Sequence, residues 1–393
     1  MRPATVPFLV LASLLFPGCG DKPSAQAPPK QNPPEQKDAA VAHAAAAHPI
    51  ANPLPGMPPV IDPADIYSED HVGKINPVAA KALPRIYVPN TISNTVDVID
   101  PATYKVVEHF NVGKQPQHVT PSYDLTKLWI LNDKGNSLTR IDPVTAQKKE
   151  TIPVDDPYNM YYTPDGKYAI VVAEQRQHLD FRDASTMKLK KSLAVNCKGV
   201  DHMDFSADGR YLIASCEFAG MILKVDVEEQ KVLAKLPLEH GGMPQDVKTS
   251  PDGQVFYVAD MQANGVHLID GEGPREIGFI ATGKGAHGLY VSRDSKVLYI
   301  SNRGEGSITV LDLATRKIVH KWEFPGGGSP DMGGVSADGK VLWLSGRYNA
   351  EVYAIDTENG KLLARIPVGR GPHGLCVFPQ PGRYSLGHTG VFR

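Results

Sequence analysis

The strongest constraint on this chain is a unit that returns at a near-constant interval. It has a turn, a short apolar strand, a Ser or Thr with an (S/A/P)-Asp-Gly turn, then a second β-rich strand ending on a small or polar residue. Residues 195–217, VNCKGVDHMDFSADGRYLIASCE, show it most clearly. The residues opening each first strand are His118, Asn159, His202, Asp246, Gly288, Met332 and Gly374, with gaps of 41, 43, 44, 42, 44 and 42 residues. A period of about 40–45 residues carrying four strands is that of a propeller blade. Blade three reads as strands 200–206, 210–216, 221–226 and 231–237, separated by Asp-Gly, Phe-Ala-Gly and Glu-Glu turns.

Six complete blades begin near Gln117, Tyr158, Val200, Pro244, His287 and Asp331. Two fragments remain. Strands at 85–90, 95–100 and 105–112 lack a first strand, and 373–378 is a first strand with no blade behind it. Joining them completes a seventh blade and leaves no open sheet edge between the first and last blades. The expected fold is therefore an all-β, seven-bladed propeller of four-stranded blades over 85–393, with a short C-terminal tail. An eighth blade would have to come from 61–84, which lack two strand-turn-strand signals and read as a lead-in packed on the outside.

Composition agrees: 41% hydrophobic, 7% aromatic, 36 Gly and 34 Pro in 393 residues suit short strands and turns. With 41 basic against 43 acidic residues and no basic stripe, nucleic acid is not an expected partner. The apolar run 8–16 behind Met1 and Arg2 is too short to span a bilayer but fits a signal-peptide core. Cleavage before Cys19, giving residues 1–19 as a lipoprotein-type leader and Cys19 as the lipidated residue, is preferred over cleavage after Ala27. Residues 20–60, rich in Ala, Pro, Gln and Lys, read as a polar tether. His43 and His48 within it, five apart, are off the spacing that would pair them for a metal on a helix. The expectation is an exported protein, periplasmic or on the cell surface, held to the membrane by its N-terminal lipid.

Tyr87-Val-Pro-Asn90, the run from Ser93 to Asp100, and Val112-Gly113 together resemble the YVTN family of β-propeller repeats. Weaker copies are Tyr299–Asn302 with Gly306–Asp312, and Trp343–Gly346 with Val352–Asp356. The resemblance covers about 85–378 and implies a WD40-like propeller. It leaves chemistry open, since similar propellers include envelope and surface proteins, sugar lactonases and the haem-binding propeller of nitrite reductases.

In a propeller the loops entering the inner strands and those leaving the second strands meet at one channel mouth, the default site for a protein or small-molecule ligand. The first set carries His118, Asn159, His202, Asp246, His287, Asp331 and His373, and the second carries Glu217, Asp260, Arg303 and Arg347. His118 and His202 share one strand position, while His287 and His373 sit one residue earlier, where alternation turns a side chain the other way. A symmetric ring of four histidines is therefore not expected. No covalent-haem, nucleophile-elbow, zinc-protease or phosphate-loop motif is present.

The leading reading is a binding or scaffolding module that requires no cofactor. One alternative is a metal-dependent lactonase using Glu217, Asp246, Asp260 and Asn302 as hard oxygen ligands of a divalent metal. The other is a redox accessory protein with His118 or His202 as axial ligand to haem. Of the four cysteines, Cys19 is assigned to lipid and Cys376 to the core. Cys197 and Cys216, at neighbouring ends of a hairpin, are expected to form a disulfide, with a metal site including His202 or two free thiols as the rival outcomes.

Overall fold

The computed structural model describes residue 50 and residues 52–393 except 241 and 389. The expected leader, Cys19, His43 and His48 lie outside the described residues.

Each turn repeats one set of bonds. In blade three the Ser206 hydroxyl donates to Asp208 and accepts the Tyr211 N–H, 2.6 and 3.1 Å away. Ser122, Thr163, Ser250, Ser292 and Ser336 do the same in their blades, with hydroxyl-to-Asp distances of 2.5–2.6 Å. The short polar side chain thus satisfies the backbone of the turn locally. Gly209 follows at φ +71°, a conformation that costs a residue with a Cβ about 1–2 kcal/mol.

The blades are four-stranded antiparallel sheets, as in Val200–Phe205, Tyr211–Cys216, Met221–Asp226 and Lys231–Pro237. The two inner strands of that blade are buried along their whole length, because both faces of each sheet pack on neighbouring blades. The second of them, YLIASC, therefore reads as a near-continuous apolar run, the first, VDHMDF, carries polar groups into the channel side, and the outer strand alternates. Burying each Val, Leu or Ile in these layers contributes roughly 1.5–3 kcal/mol. Neighbouring blades are also bonded along the channel. Met203 N–H reaches Tyr161 Oη at 3.1 Å, Thr249 N–H reaches Asp204 at 2.9 Å, Leu289 N–H reaches Asp246 at 2.9 Å, and Gly333 N–H reaches Tyr290 Oη at 2.7 Å.

The seventh blade closes as the two fragments require: Cys376–Phe378 pairs antiparallel with Arg85–Asn90, Tyr87 opposite Cys376. Cys376 is a free, buried core thiol. Gly374, just before it, lies under the His118 ring, which a Cβ there would overlap.

Two segments depart from the sequence reading. The lead-in crosses the end of the channel opposite the mouth rather than lying on the outer wall. Ile66 N–H bonds Pro251 O, Tyr67 Oη donates to Thr249 O, and Asp70 pairs with Arg293. The last part of the expected tether belongs to this layer too. Leu54 is buried and its N–H bonds Asp208 O, because its side chain joins the apolar cluster of blades two and three.

The C-terminal tail is not a surface appendage. Ser385–Gly387 and Val391–Phe392 form a hairpin that extends blade two inward, with Gly387 opposite Tyr161. The sheet grows into the channel, and Tyr384, Leu386, Val391 and Phe392 fill it. Arg393 ends at the channel base, where its guanidinium bonds buried Asp204 at 3.0 Å and stacks on Tyr67. Removing one partner of a buried ion pair costs about 3–5 kcal/mol. Arg393→Met is expected to lose that order of stability in chemical denaturation, and an unchanged midpoint would show that this pair does not hold the hairpin.

Candidate functional site

The mouth is assembled from the first residues of the inner strands. In five blades the pairing register shifts there, between Pro116 and His118, Val200 and Met203, Pro244 and Val247, Ala286 and Leu289, and Pro330 and Gly333. Such an irregularity lets successive residues leave strict alternation. Asp201 and His202 are both buried at the mouth, as are Gln245 and Asp246.

This overturns the alternation argument for His287 and His373. All four inner-strand histidines lie together, in an arrangement without symmetry. The ring of His373 is 4.8 Å from that of His118 and 5.9 Å from that of His287, centroid to centroid. His373 and His287 share Asp331, at 2.6 and 3.2 Å. On the other side His118 and His202 meet a fifth histidine, His388, carried in by the tip of the tail hairpin. The three centroids form a near-equilateral triangle of 5.4, 5.4 and 4.8 Å. The signal that could have found His388 was the apolar pattern of Tyr384, Leu386, Val391 and Phe392 around it, too much apolar surface for a free tail.

Burial dominates the electrostatics. It lowers His118 to about 4 and holds His202, His287, His373 and His388 well below the usual imidazole range, so these rings are neutral at physiological pH. Burial also opposes ionisation of Asp331, yet His287, Arg303 and Arg347 around it keep its carboxyl below the ordinary value. Arg303 donates to it at 2.9 Å.

Above this floor the mouth is polarised. Glu174, Asp201 and Glu217 lie on the side of blades two and three; burial first, then the charges of Glu217 and Glu174, raises Asp201 well above the usual range, and burial first, then the charges of Asp133 and Glu217, raises Glu174 to about 7. Glu217 is also raised by burial, against the pull of Gln245 and Arg303. Arg303 and Arg347 stand opposite, on blades five and six. Arg347 carries a buried Nη1 with no partner, and neither oxygen of Asp201 meets a well-formed hydrogen bond. The groups nearest those oxygens are His202 Nε2, 3.1 Å away but off hydrogen-bonding geometry, and the Tyr158 hydroxyl. Ile92, Phe218 and Tyr348 stand exposed on the outer loops of the same face.

Other residues singled out by sequence have local partners. Asp260 accepts backbone N–H groups of Gly242, Gln262 and Ala263 and sits 3.5 Å from His267. Asn302 bonds Ser307 and Thr309, holding one blade's second and third strands together. Asp246, raised by burial to about 6, accepts the N–H of Val247 and of Leu289. Glu217, Asp246, Asp260 and Asn302 therefore do not converge as the oxygen cage a lactonase metal would need. Among the described residues the group able to share an ion is His118, His202 and His388. Haem does not fit either, because His118 and His202 face each other and His388 rather than a macrocycle-sized space. Asn159 lies between His202 and His388, bonded to both. Cys197 and Cys216 form the expected disulfide, with Cα atoms 5.9 Å apart, beside Glu217 on the rim.

A family model described as YNCE-like beta-propeller matches residues 56–383. An uncharacterised protein YncE of Salmonella typhi is 21% identical over 272 residues, covering 63% of this chain and 73% of that protein. The structure of the periplasmic gluconolactonase PpgL of Pseudomonas aeruginosa is similar with a TM-score of 0.63 and 20% identity, covering 76% of this chain and 99% of its own. Dihydro-haem d1 dehydrogenase NirN, solved with DHE, has a TM-score of 0.58 and 17% identity, covering 75% of each chain. Likeness at this level is likeness of fold.

The acidic side of the mouth yields a sign-definite test. Glu174 titrates at about 7 in the folded protein and near the ordinary Glu value of about 4.3 when unfolded. Between these values the folded state binds more protons, so this group's contribution is present below about pH 4.3 and is lost as pH rises through 7. Relative to Glu174→Gln, the wild-type protein is expected to lose stability across that window in paired denaturation curves. Parallel pH profiles would show that folding does not raise the Glu174 carboxyl.

Proposed function

This chain belongs to the YNCE-like β-propeller family, and from that premise we propose that it is an exported binding module whose mouth holds a small organic acid carrying hydroxyl or ammonium donors. The observation that supports this most is the unpartnered buried Nη1 of Arg347 across the mouth from Asp201, whose oxygens make no well-formed hydrogen bond. A carboxylate would complete the Arg347 guanidinium, aided by Arg303, in a charge-assisted hydrogen bond. Donors at the other end of the ligand would meet Asp201, Glu174 and Glu217. Exposed Ile92, Phe218 and Tyr348 offer apolar contact at the rim. The channel base is closed by the tail and lead-in, so the ligand enters and leaves through the mouth.

Thermal shift with a panel of small carboxylates, with and without hydroxyl or amino groups, tests the proposal. Hydroxy or amino acids should raise the melting temperature, and Arg347→Ala should weaken them about tenfold or more, as expected for a hydrogen bond to a charged group. A panel with no stabilising member, or equal binding by Arg347→Ala, would refute it.

Export and anchoring belong to the same proposal and rest on the leader reading. Cys19→Ser is expected to move the protein from the membrane to the soluble fraction with its thermal melt unchanged. Retention in the membrane fraction would argue against the lipid.

A further inference from the structure

One ring nitrogen from each of His118, His202 and His388 lies within 4.8 Å of the other two, and all three residues are fully or nearly fully buried. Their Nδ1 atoms are occupied. His118 Nδ1 donates to Tyr158 O at 2.9 Å, and those of His202 and His388 meet the side-chain amide of Asn159 at 3.1 and 3.0 Å. Their Nε2 atoms are buried with no hydrogen-bond partner. That of His202 lies 3.1 Å from an Asp201 oxygen and that of His388 3.8 Å from Asp246, neither in hydrogen-bonding geometry, and buried polar nitrogens so placed are costly unless something binds them.

We propose that His118, His202 and His388 form a three-histidine site for a divalent transition-metal ion of the zinc or copper class, built jointly by blades one and three and the C-terminal hairpin.

The spacing fits such an ion. With metal–nitrogen bonds of about 2.0–2.1 Å, tetrahedral geometry places ring centroids about 5.2 Å apart. The observed centroids are 4.8–5.4 Å apart. The rings need to reorient in place rather than travel. Imidazole donors select zinc, copper or nickel over calcium or magnesium. Asp201, whose oxygen is 3.1 Å from His202 Nε2, is at hand for the remaining position, which water could equally fill.

Asn159 acts as a positioning residue. With its amide nitrogen toward the rings, as here, it donates to Nδ1 of His202 and His388, which leaves the proton of each neutral ring on Nε2. Turning the amide over makes its oxygen accept from both Nδ1 atoms and frees both Nε2 lone pairs for the ion. One proton shifts within each ring and none leaves the site. The cost is the bond that Met160 N–H makes to the amide oxygen, 2.8 Å long. His118 needs no such change, because a carbonyl already fixes its Nδ1 proton. A carboxylate at 159 accepts from both rings without turning, and Asp246 shows that Asp is tolerated at the equivalent strand position.

The test uses chelator-stripped full-length protein carrying His43→Ala and His48→Ala, titrated with Zn²⁺ against a chromophoric chelator and with Co²⁺ by absorption. One equivalent of each should bind, with Co²⁺ showing the intense visible bands of a tetrahedral site. Outer-shell partners change metal affinity about 10–100-fold, and loss of a ligand exceeds that range. His388→Ala and His202→Ala should each weaken Zn²⁺ by about 100-fold or more, whereas Asn159→Asp should tighten it about tenfold. His118→Gln keeps a side-chain donor toward the Tyr158 carbonyl and serves if the alanine variants do not fold. Absence of stoichiometric Zn²⁺ and Co²⁺, Zn²⁺ affinity unchanged by His388→Ala or His118→Gln, or weaker binding in Asn159→Asp would each overturn the site.

Discussion

A ring of seven sheets must close, and the channel along its axis must be filled by water or by protein. The first requirement is met by Cys376–Phe378 pairing with Arg85–Asn90, which removes the edges that an open array would expose. The second is met by the tail hairpin, which fills the channel with apolar side chains and pairs its own backbone with blade two. Everything at the mouth depends on that filling. Without the hairpin, His388 would be absent from the floor, and Asp204 would lose the guanidinium that makes its burial tolerable.

The filled channel also sets the electrostatics. A water-filled bore would let five histidines and several carboxylates titrate near their ordinary values. Here desolvation divides them: the imidazoles are held neutral, Asp201 and Glu174 favour their protonated forms, and Asp331 stays ionised because cationic groups surround it. A neutral, lone-pair-bearing floor beneath a mouth with acids on one side and arginines on the other follows from one packing event.

Asp246, Asp260 and Asn302 illustrate how polar residues at a propeller mouth divide between architecture and function. Each occupies a loop position where a ligand-binding group is expected, and each is committed to neighbouring strands, turns or blades. Asp201, Arg347 and the Nε2 atoms of the histidine triad stand apart because burial has removed water and the fold supplies no good partner.

The architecture was legible because it is periodic. The interval, the Ser/Thr-Asp-Gly turn and the two orphan fragments each have a local physical meaning, and together they imply the blade count, the closure and the Cys197–Cys216 proximity. The site was less legible. Alternation misplaced His287 and His373 because irregular pairing at the start of inner strands breaks the two-residue period, a tertiary adjustment to crowding around the axis. His388, the Leu54 contact and the pairing of Arg393 with Asp204 join residues that no repeat relates, so only packing of the finished ring could bring them together. Sequence alone determined the unit that is copied. The tertiary structure decided what occupies the axis the copies enclose, because that space exists only once all seven blades are in place.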